Sequence, residues 1–292
     1  MGFLSRDRLF ILALRSATAI SAAVIFLVVL FVAGEALMAF STDSDKPFSL
    51  ANLFGDPSWD PANQEYNLTP MIVGSLAATF GSLVITAPTG IGAAVFLNFY
   101  APEKVGWCFR RVVEILAGVP SVVYGLWGLS VLVPLIGEIS PLEQGQSLLA
   151  GVLILSFMTI PTVVIAADAA LQAVAPSQIN AAAALGLGKR ASAWKVAVPS
   201  ARWALFSAVI LQVARAIGET MAVLMVCGNI VQLPSSVFHP VRTLTANIAL
   251  EMGYADEGHR AMLFLSGVIG LILVAFLIAI ANLFSDQEEG RI

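Results

Sequence analysis

The segment WALFSAVILQVARAIGETMAVLMVC, residues 203–227, is apolar over most of its length but carries Arg215 and Glu219 near its middle. Segments of about 20 mostly apolar residues are typical of membrane-spanning helices. An Arg near the centre of such a helix costs about 2.5–3.5 kcal/mol on insertion scales. A charge with that cost indicates either a functional position or a buried ion pair, provided that the chain lies in a membrane.

The composition of the whole chain is that of an integral membrane protein. Of its 292 residues, 58% are hydrophobic and 12% are charged, whereas a soluble domain carries about a quarter charged residues. So few charges do not cover a water-facing surface of this size. The apolar runs are too long for the strands of a membrane barrel, which have about ten residues of alternating polarity. We therefore predict an all-α integral membrane protein.

Hydrophobicity predicts six transmembrane helices. The second and third contain Pro88 and Pro120, which we expect to kink these helices without breaking them. The first span is long and is not followed by a small-residue cleavage site, so it indicates a retained anchor rather than a signal peptide. The six predicted spans are residues 17–40, 70–99, 112–136, 148–170, 203–228 and 262–284.

The distribution of basic residues predicts the orientation. With the N-terminus inside, eleven Lys and Arg residues fall in cytoplasmic segments and three in outer segments, while Arg215 lies within a span. By the positive-inside rule, both termini then face the cytoplasm. The predicted divisions are an N-terminal tail with the first span (1–40), a periplasmic loop (41–69), a five-span block (70–284) and a cytoplasmic tail (285–292).

The sequence gives no sign of a cofactor, either at its cysteines and histidines or in a nucleotide-binding or catalytic motif. Cys108 and Cys227 are expected on opposite membrane faces, where they cannot form a disulfide. His239 and His259 lie in one outer loop, with no metal-ligand spacing to either cysteine. The chain has no Walker phosphate loop, dinucleotide fingerprint or nucleophile elbow. We expect no metal, no ATP hydrolysis by this chain and no nucleic-acid partner.

The connection between the fourth and fifth spans, LQAVAPSQINAAAALGLGKRASAWKVAVPSAR (171–202), predicts a short cytoplasmic helix. Ser177 is the expected N-cap, and Gly186 and Gly188 are expected to end the helix. Such a helix, held between two spans, is suited to binding a partner. The alternative is a plain interfacial helix, which the Ala-rich composition disfavours because it gives no strong apolar face.

The same segment resembles the "EAA" loop of binding-protein-dependent ABC importer permeases. That loop reads Glu-Ala-Ala, three residues, Gly, and later an apolar-x-apolar-Pro ending. Ala181, Ala182, Gly186 and Pro199 match it in type and spacing, whereas Asn180 replaces the usual Glu. The resemblance implies that these five residues form the loop that couples the permease to its ATPase.

Three further runs resemble the phosphate branch of this family: EILAGVPSVVYGLWGL (114–129), ARAIGETMAVLMVCGN (214–229) and PVRTLTANIALEMG (240–253). The resemblance implies a type I, MetI-like permease core of five spans with an extra N-terminal span. It also implies a bacterial inner-membrane machine that imports phosphate. Its other parts are a sister permease, two copies of an ATPase that uses ATP and Mg²⁺, and a periplasmic phosphate-binding protein.

Arg215 and Glu219 are the principal site candidates. If the fifth span is one helix, Glu219 lies one turn beyond Arg215 on the same face and partly neutralises it. One hypothesis is an anion site or gate, because a guanidinium matches phosphate oxygens in bidentate fashion. The other is a buried pair that fixes the packing between spans. Thr220, next to Glu219, belongs to the same predicted pathway.

The remaining candidates allow two interpretations each. Ser121 and Tyr124 either line the pathway or stabilise a kink at Pro120. Arg242 and Thr243, with Thr245, either receive the anion on the outer side or belong to a packed loop. Glu114 and Asp168 are either helix-end charges or contacts to the ATPase and its loop.

Other classes of protein explain the sequence less well. A secondary anion transporter usually shows inverted repeats with broken helices, and no internal duplication is found. A membrane protease requires a nucleophile or metal ligands within the spans, and a scaffold leaves Arg215 unexplained. A permease for another oxyanion, such as sulfate or molybdate, stays an alternative within the family.

Overall fold

A computed structural model of the chain describes residues 2–40, 52–55 and 58–289, and the side chains of residues 10–40, 53–55 and 58–279. The described residues are mostly helical, as predicted. Within the described ranges, five helices are long and apolar enough to cross a membrane, and a sharply bent helix pair raises the number to six. The helices are α1 (Gly2–Leu37), α2 (Asn52–Gly55), α3 (Thr69–Phe99), α4 (Glu103–Ala117), α5 (Ser121–Trp127), α6 (Val133–Ile139), α7 (Leu148–Gln172), α8 (Pro176–Ala184), α9 (Lys189–Ser192), α10 (Val198–Ser200), α11 (Arg202–Ile217), α12 (Met221–Val226), α13 (Leu244–Glu251) and α14 (Glu257–Glu289).

Short non-α elements complete the described chain. Residues Gly128–Leu132 and Ala193–Ala197 are π-helical, and Met38–Phe40 and Pro61–Asn63 form 3₁₀ turns. Strands β1 (Trp59–Asp60) and β2 (Glu65–Tyr66) pair antiparallel. Parts of the predicted periplasmic loop 41–69 and of the tail 285–292, namely residues 41–51, 56–57 and 290–292, lie outside the described residues.

Helices α3 and α7 form the centre of the bundle and run parallel to each other. Gly81 and Gly90 of α3 face Val152 and Val163 of α7, and a Cβ at either glycine would lie within 3 Å of the valine. The lack of side chains therefore lets the two backbones approach closely. Helix α3 continues through Pro88 without a break, as predicted.

The first helix packs at the periphery against the last one. Phe31 of α1 and Phe264 of α14 meet edge to face with ring centroids 5.8 Å apart. Glu35 and Arg260 lie 3.7 Å apart beside them. Most of the described side chains of α1 are exposed and apolar, as expected for a helix surrounded by lipid.

The prediction for the third span, 112–136, is wrong at its start. The amphipathic helix α4 ends at Ala117, and the apolar span begins at Ser121 and runs to Ile139. Pro120 separates the two in an extended conformation with ψ of 142°. Proline lacks a backbone N–H and disfavours helix in the residue before it, so Pro120 breaks the helix rather than kinking it.

The fifth predicted span, 203–228, is not one helix. Helix α11 ends at Ile217, and α12 starts at Met221 after a break of three residues. Thr245 Oγ1 donates a 2.7 Å hydrogen bond to the carbonyl of Glu219 within the break. The break is stabilised from α13, which is distant in sequence, so hydrophobicity gave no signal of it.

The surface helix between α7 and α11 is present, with a different start. Ala175 is the N-cap of α8 and Pro176 its first residue, so the prediction of Ser177 as the cap is wrong. The prediction for Gly186 is confirmed, since it follows the helix with φ of +79°. Its N–H donates to Ala183 and that of Leu187 to Ala182, which is a Schellman ending.

Candidate functional site

Arg215 lies in the last turn of α11, thirteen residues and about 20 Å from the start of that helix. Its side chain is exposed on this chain. Among the described residues it has no hydrogen-bond or ion-pair partner. The helix dipole favours a cation at a C-terminal end, so the backbone compensates part of the charge. The guanidinium donors stay free for another molecule or subunit.

Glu219 does not pair with Arg215, contrary to the sequence-based expectation. Since α11 has ended, Glu219 lies in the break and not one turn further along the same face. Its Oε1 accepts a 3.2 Å hydrogen bond from the N–H of Ala222 and so caps the start of α12. The break thus gives the carboxylate a backbone partner and leaves the guanidinium without one.

Helix α5 lies beside α12, so the two broken segments are neighbours. A Cβ on Gly125 would lie 3.0 Å from the Cα of Ala222, which shows how closely the helices approach. Both helices begin within about one turn of this contact, at Ser121 and Met221. The structure thereby brings the predicted candidate Ser121 to the level of the break that follows Arg215.

Tyr124 and Thr220 stabilise the two breaks. The hydroxyl of Tyr124 donates to the carbonyl of Leu116 over 2.9 Å and so bridges α5 and α4 across Pro120. Thr220 Oγ1 donates to the carbonyl of Gly218 over 3.3 Å. These contacts favour the kink-stabilising interpretation of Tyr124. That Tyr124 or Thr220 lines the pathway stays a prediction.

Arg242 and Thr243 lie within a packed loop, at the end of the bundle opposite to α8. Arg242 bonds to the carbonyl of Asn229 (2.9 Å), to Asn247 (2.9 Å) and to Glu251. Thr243 is buried and its Oγ1 accepts from the N–H of Ala246, so it caps α13. These contacts favour the packed-loop interpretation, and reception of an anion there stays a prediction.

Sequence reasoning missed that Glu251 is the centre of this packed loop. Its buried carboxylate also accepts a 2.7 Å hydrogen bond from Trp59 Nε1 and lies 2.9 Å from His259 Nε2. The cluster joins β1, α13 and α14. Trp59 and Glu251 are 192 positions apart in the sequence, and no local pattern marks their proximity.

A second cluster surrounds Asp168 at the end of the bundle that carries most basic residues, here called the basic end. Arg110 binds Asp168 through two nitrogens, at 2.8 and 3.0 Å. Asn98 and Gln172 donate to the same carboxylate at 2.7 and 2.8 Å. The hydrogen bond to Asp168 raises the pKa of Arg110 above its already high value. Asp168 therefore fastens α4 to α3 and α7, which is a structural role.

Glu114 has no part in that cluster. It pairs with Arg111 at 2.6 Å, and both side chains are about half exposed. An exposed pair three residues apart on one helix is worth little, as the helix-end interpretation expects.

The coupling-loop candidates lie together at the basic end. Asn180, Ala181 and Gly186 are exposed, while Ala182 is buried at 4% exposure. Leu185, beside them, is 82% exposed. Pro199 is exposed on the next helical segment. An exposed apolar helix end of this kind is suited to seating in a groove of another protein.

Sequence reasoning also missed a polar seam between α3, α7 and α11. A signal for it exists, because four hydroxyl residues recur at helical spacing in the second span. These are Ser75, Thr79, Ser82 and Thr86, and all four are buried. Thr86 Oγ1 lies 3.0 Å from Thr159 Oγ1 of α7.

The fold and the site define a multi-span membrane permease. Its fifth span is interrupted next to a charged residue, Arg215, and a helical loop is exposed at its basic end. The sequence matches the family described as "Binding-protein-dependent transport system inner membrane component" over residues 86–289. The chain therefore belongs to this family of ABC importer permeases, whose members are not themselves enzymes and work with a separate ATPase and a substrate-binding protein.

Curated relatives cover nearly the whole chain. The probable ABC transporter permease protein YqgH of Bacillus subtilis is 35% identical, over 90% of this chain and 85% of the relative. The phosphate transport system permease protein PstC of Xylella fastidiosa strain Temecula1 is 31% identical, over 93% and 91%. The PstC protein of Pasteurella multocida is 30% identical, over 91% and 90%.

Solved structures show the same fold. A bacterial ABC transporter involved in the import of the acidic polysaccharide alginate matches with a TM-score of 0.66 at 14% identity, over 97% of each chain. An inward-facing MetNI methionine ABC transporter matches with a TM-score of 0.56 at 18% identity, over 75% of this chain and 93% of the other. The prediction of a MetI-like permease fold is confirmed.

Proposed function

We infer that the chain is a PstC-type subunit that forms half of a phosphate pathway across the bacterial inner membrane. The observation that carries this proposal is Arg215, a cation within an apolar segment whose donors have no partner among the described residues. The similarity to curated phosphate permeases supports the choice of anion.

The geometry of the break suits a weak, transient anion site. A guanidinium binds an oxyanion through two parallel hydrogen bonds. The carboxylate of Glu219, held by the N–H of Ala222, stays close in sequence and limits the net positive charge. Because conduction requires an anion to leave as readily as it enters, one free cation with a carboxylate held in the same break is more suitable than a cluster of cations.

A helical path connects the surface loop to Arg215. Ile179 of α8 packs on a buried cluster that includes Ala193 and Ala197 of the π-helical segment. That segment continues through α10, and after a bend of 69° the chain enters α11, which carries Arg215 near its end. Movement of α8 by a bound ATPase would therefore be transmitted to the position of Arg215.

The proposed assembly follows from this arrangement. A PstA-like sister permease contributes the other half of the pathway and faces the exposed side of Arg215. A dimer of PstB-like ATPases, which bind the ATP and Mg²⁺, docks on α8, and a PstS-like protein delivers phosphate from the periplasm. The basic end faces the cytoplasm, with both termini, and the lipid bilayer surrounds the spans.

The decisive experiment is phosphate uptake by the double variant Arg215→Met, Glu219→Leu. Arg215 is exposed and Glu219 is only half-buried, so neither replacement leaves a buried charge without its partner. Glu219→Leu removes the cap on the N–H of Ala222, a loss that typically costs about 1 kcal/mol, so the transporter should assemble. Uptake should nevertheless be lost, because no cation is left to replace water around the anion. Assembly with the partners and the amount in the membrane are measured alongside, and near-normal uptake would remove both residues from the pathway.

Competing oxyanions test the substrate. Uptake of labelled phosphate by the wild-type assembly should be reduced by unlabelled phosphate and not by sulfate or molybdate. The opposite order would make the chain a permease for another oxyanion. Uptake without any ATPase would instead indicate a secondary anion transporter.

A further inference from the structure

A small cavity lies where α3, α7 and α11 meet, and five of its eight lining residues have polar side chains. Its volume is about 10 Å³, and Thr79, Ser82, Thr86, Thr159 and Gln212 line it together with Leu83, Val213 and Ala216. A cavity needs about 10–15 Å³ to hold one water molecule, which in turn needs two to four polar partners. The space fits a single water and is too small for an oxyanion.

Two polar groups on the wall have no partner in the described part of the chain. Thr79 Oγ1 is fully buried and unpaired. The Oε1 atom of Gln212 accepts from Thr162 Oγ1 at 2.7 Å, whereas its amide nitrogen has no partner among the described residues. A buried polar group without a hydrogen bond costs about 1–3 kcal/mol, so Thr79 favours an occupant that can bond to it. The amide nitrogen of Gln212 is available to bond to the same occupant.

We propose that one ordered water molecule occupies this cavity and bridges Thr79 of α3 to Gln212 of α11. The water accepts hydrogen bonds from Thr79 Oγ1 and Gln212 Nε2. It donates to the free lone pairs of Ser82 and Thr86. Ser82 uses its own proton toward the carbonyl of Thr79, and Thr86 donates to Thr159 because Thr159 Oγ1 itself donates to the carbonyl of Leu155. The site therefore satisfies up to four partners, as buried waters in proteins require.

The chemistry of the wall excludes other small occupants. A hard cation such as Mg²⁺ takes oxygen ligands, whereas Gln212 directs its oxygen to Thr162 and leaves a donor nitrogen, which a cation repels. An apolar guest would leave Thr79 and Gln212 unpaired at the same cost as before. Water alone both donates and accepts in a space of this size.

The bridge also makes Thr79 and Gln212 positioning residues for Arg215, a step that rests on the proposed function. Gln212 precedes Arg215 by three residues, one helical turn, and Ala216 beside Arg215 lines the cavity. The water fixes this turn of α11 to α3 without filling the space with a rigid side chain. The helix that carries the cation is thus held by an exchangeable partner.

The direct test is a high-resolution map of the assembled transporter in a lipid nanodisc. In the wild type we expect a water peak within hydrogen-bonding distance of Thr79 Oγ1 and Gln212 Nε2. Thr79→Val, which has nearly the same shape, should lose the peak, and Thr79→Ser should keep it. A wild-type map that shows other ordered waters but none here would overturn the proposal.

Radiolytic labelling gives a second measurement that needs no map. Bound water generates hydroxyl radicals beside itself, so Leu83 on the cavity wall should be oxidised in the wild type and in Thr79→Ser. In Thr79→Val its labelling should fall to background. Equal labelling of Leu83 in all three proteins would contradict a water held by Thr79.

Transport kinetics test the positioning role. The maximal phosphate uptake rate per assembled Thr79→Val transporter should fall about fivefold, the effect of one typical hydrogen bond, with KM unchanged and with rescue by serine. The control is Thr89→Val on the same helix, whose hydroxyl bonds only to carbonyls of α3. A bound water with unchanged uptake rates would leave the water site intact and remove the positioning role. Failure of the phosphate proposal itself would appear in the competition experiment and not in the map.

Discussion

Arg110 and Arg215 differ in their hydrogen-bond partners, although both lie next to apolar helices. Arg110 binds Asp168 in bidentate fashion, and two amides complete the cluster. Arg215 has no partner among the described residues. A charge that is fully satisfied within the chain holds helices together, whereas one left free can act on another molecule.

The carboxylates of the chain show the same difference between groups with many partners and groups with few. Asp168 and Glu251 are buried and each is held by at least three side chains. Glu219 is half-buried, and within the described part of the chain its carboxylate accepts one hydrogen bond, from a backbone N–H. The basic end and the opposite end of the bundle are therefore each fastened by a carboxylate cluster, and the charges between them are weakly held. Stability and transport should respond separately to mutation.

Arg215→Ala should have the largest effect on uptake and almost none on stability. Losing a bidentate contact to an anion removes two charge-assisted hydrogen bonds, so we expect uptake to fall about 100-fold or more. Thermal unfolding of the purified assembly should match the wild type. Arg215→Lys keeps the positive charge but not the paired donors of the guanidinium, so it should retain part of the activity. A large fall in melting temperature for Arg215→Ala would mean that the residue is structural, and the contrast with Arg110 would disappear.

Asp168→Ala should show the reverse pattern. It leaves Arg110, Asn98 and Gln172 without their shared acceptor, and breaking such a pair costs about 3 kcal/mol. We expect a lower melting temperature and less protein in the membrane, with normal uptake per assembled transporter. The matched control is Glu114→Ala, which breaks the exposed pair with Arg111 and should cost less than about 1 kcal/mol. Equal effects of the two variants would contradict the assignment.

Gly186→Trp should separate docking from folding. A Cβ at Gly186 meets no atom within 4 Å, but the φ of +79° strains any L side chain. Gly186→Ala shares that strain, about 1–2 kcal/mol, without the bulk and serves as the control. We expect the Trp variant to lose ATPase binding and uptake by about tenfold, which equals about 1.4 kcal/mol, while the Ala variant transports normally. Normal ATPase binding by both variants would end the docking role of α8.

Labelling of Cys108 should leave transport unchanged and decide which side the Asp168 cluster faces. Cys108 is exposed on α4, the helix that carries Arg110. An impermeant thiol reagent should reach it from the cytoplasmic side only. Cys227 is buried and serves as the internal control. Labelling of Cys108 in intact cells would reverse the proposed orientation and place α8 away from the ATPase.

The sequence by itself determined the class of protein, most of the apolar spans and the surface helix α8. Hydrophobicity and low charge depend on each residue separately, so they identify apolar segments such as Leu148–Gln172 without any knowledge of neighbours. The spacing of Ala181, Ala182 and Gly186 likewise identifies a helix and its end, because helix capping is a local property. The family followed from these residues and from the phosphate-type runs.

Only the tertiary structure decided where the spans break and which charges have partners. The break after Ile217 is bound by Thr245, 26 residues beyond Glu219, and Asp168 is bound by Asn98, 70 residues before it. The sequence places Arg215 and Glu219 four residues apart, which suggests a pair on one helix. A helix that ends between them separates the two side chains, because the spacing of side chains along a sequence fixes their distance only while the backbone keeps one regular conformation.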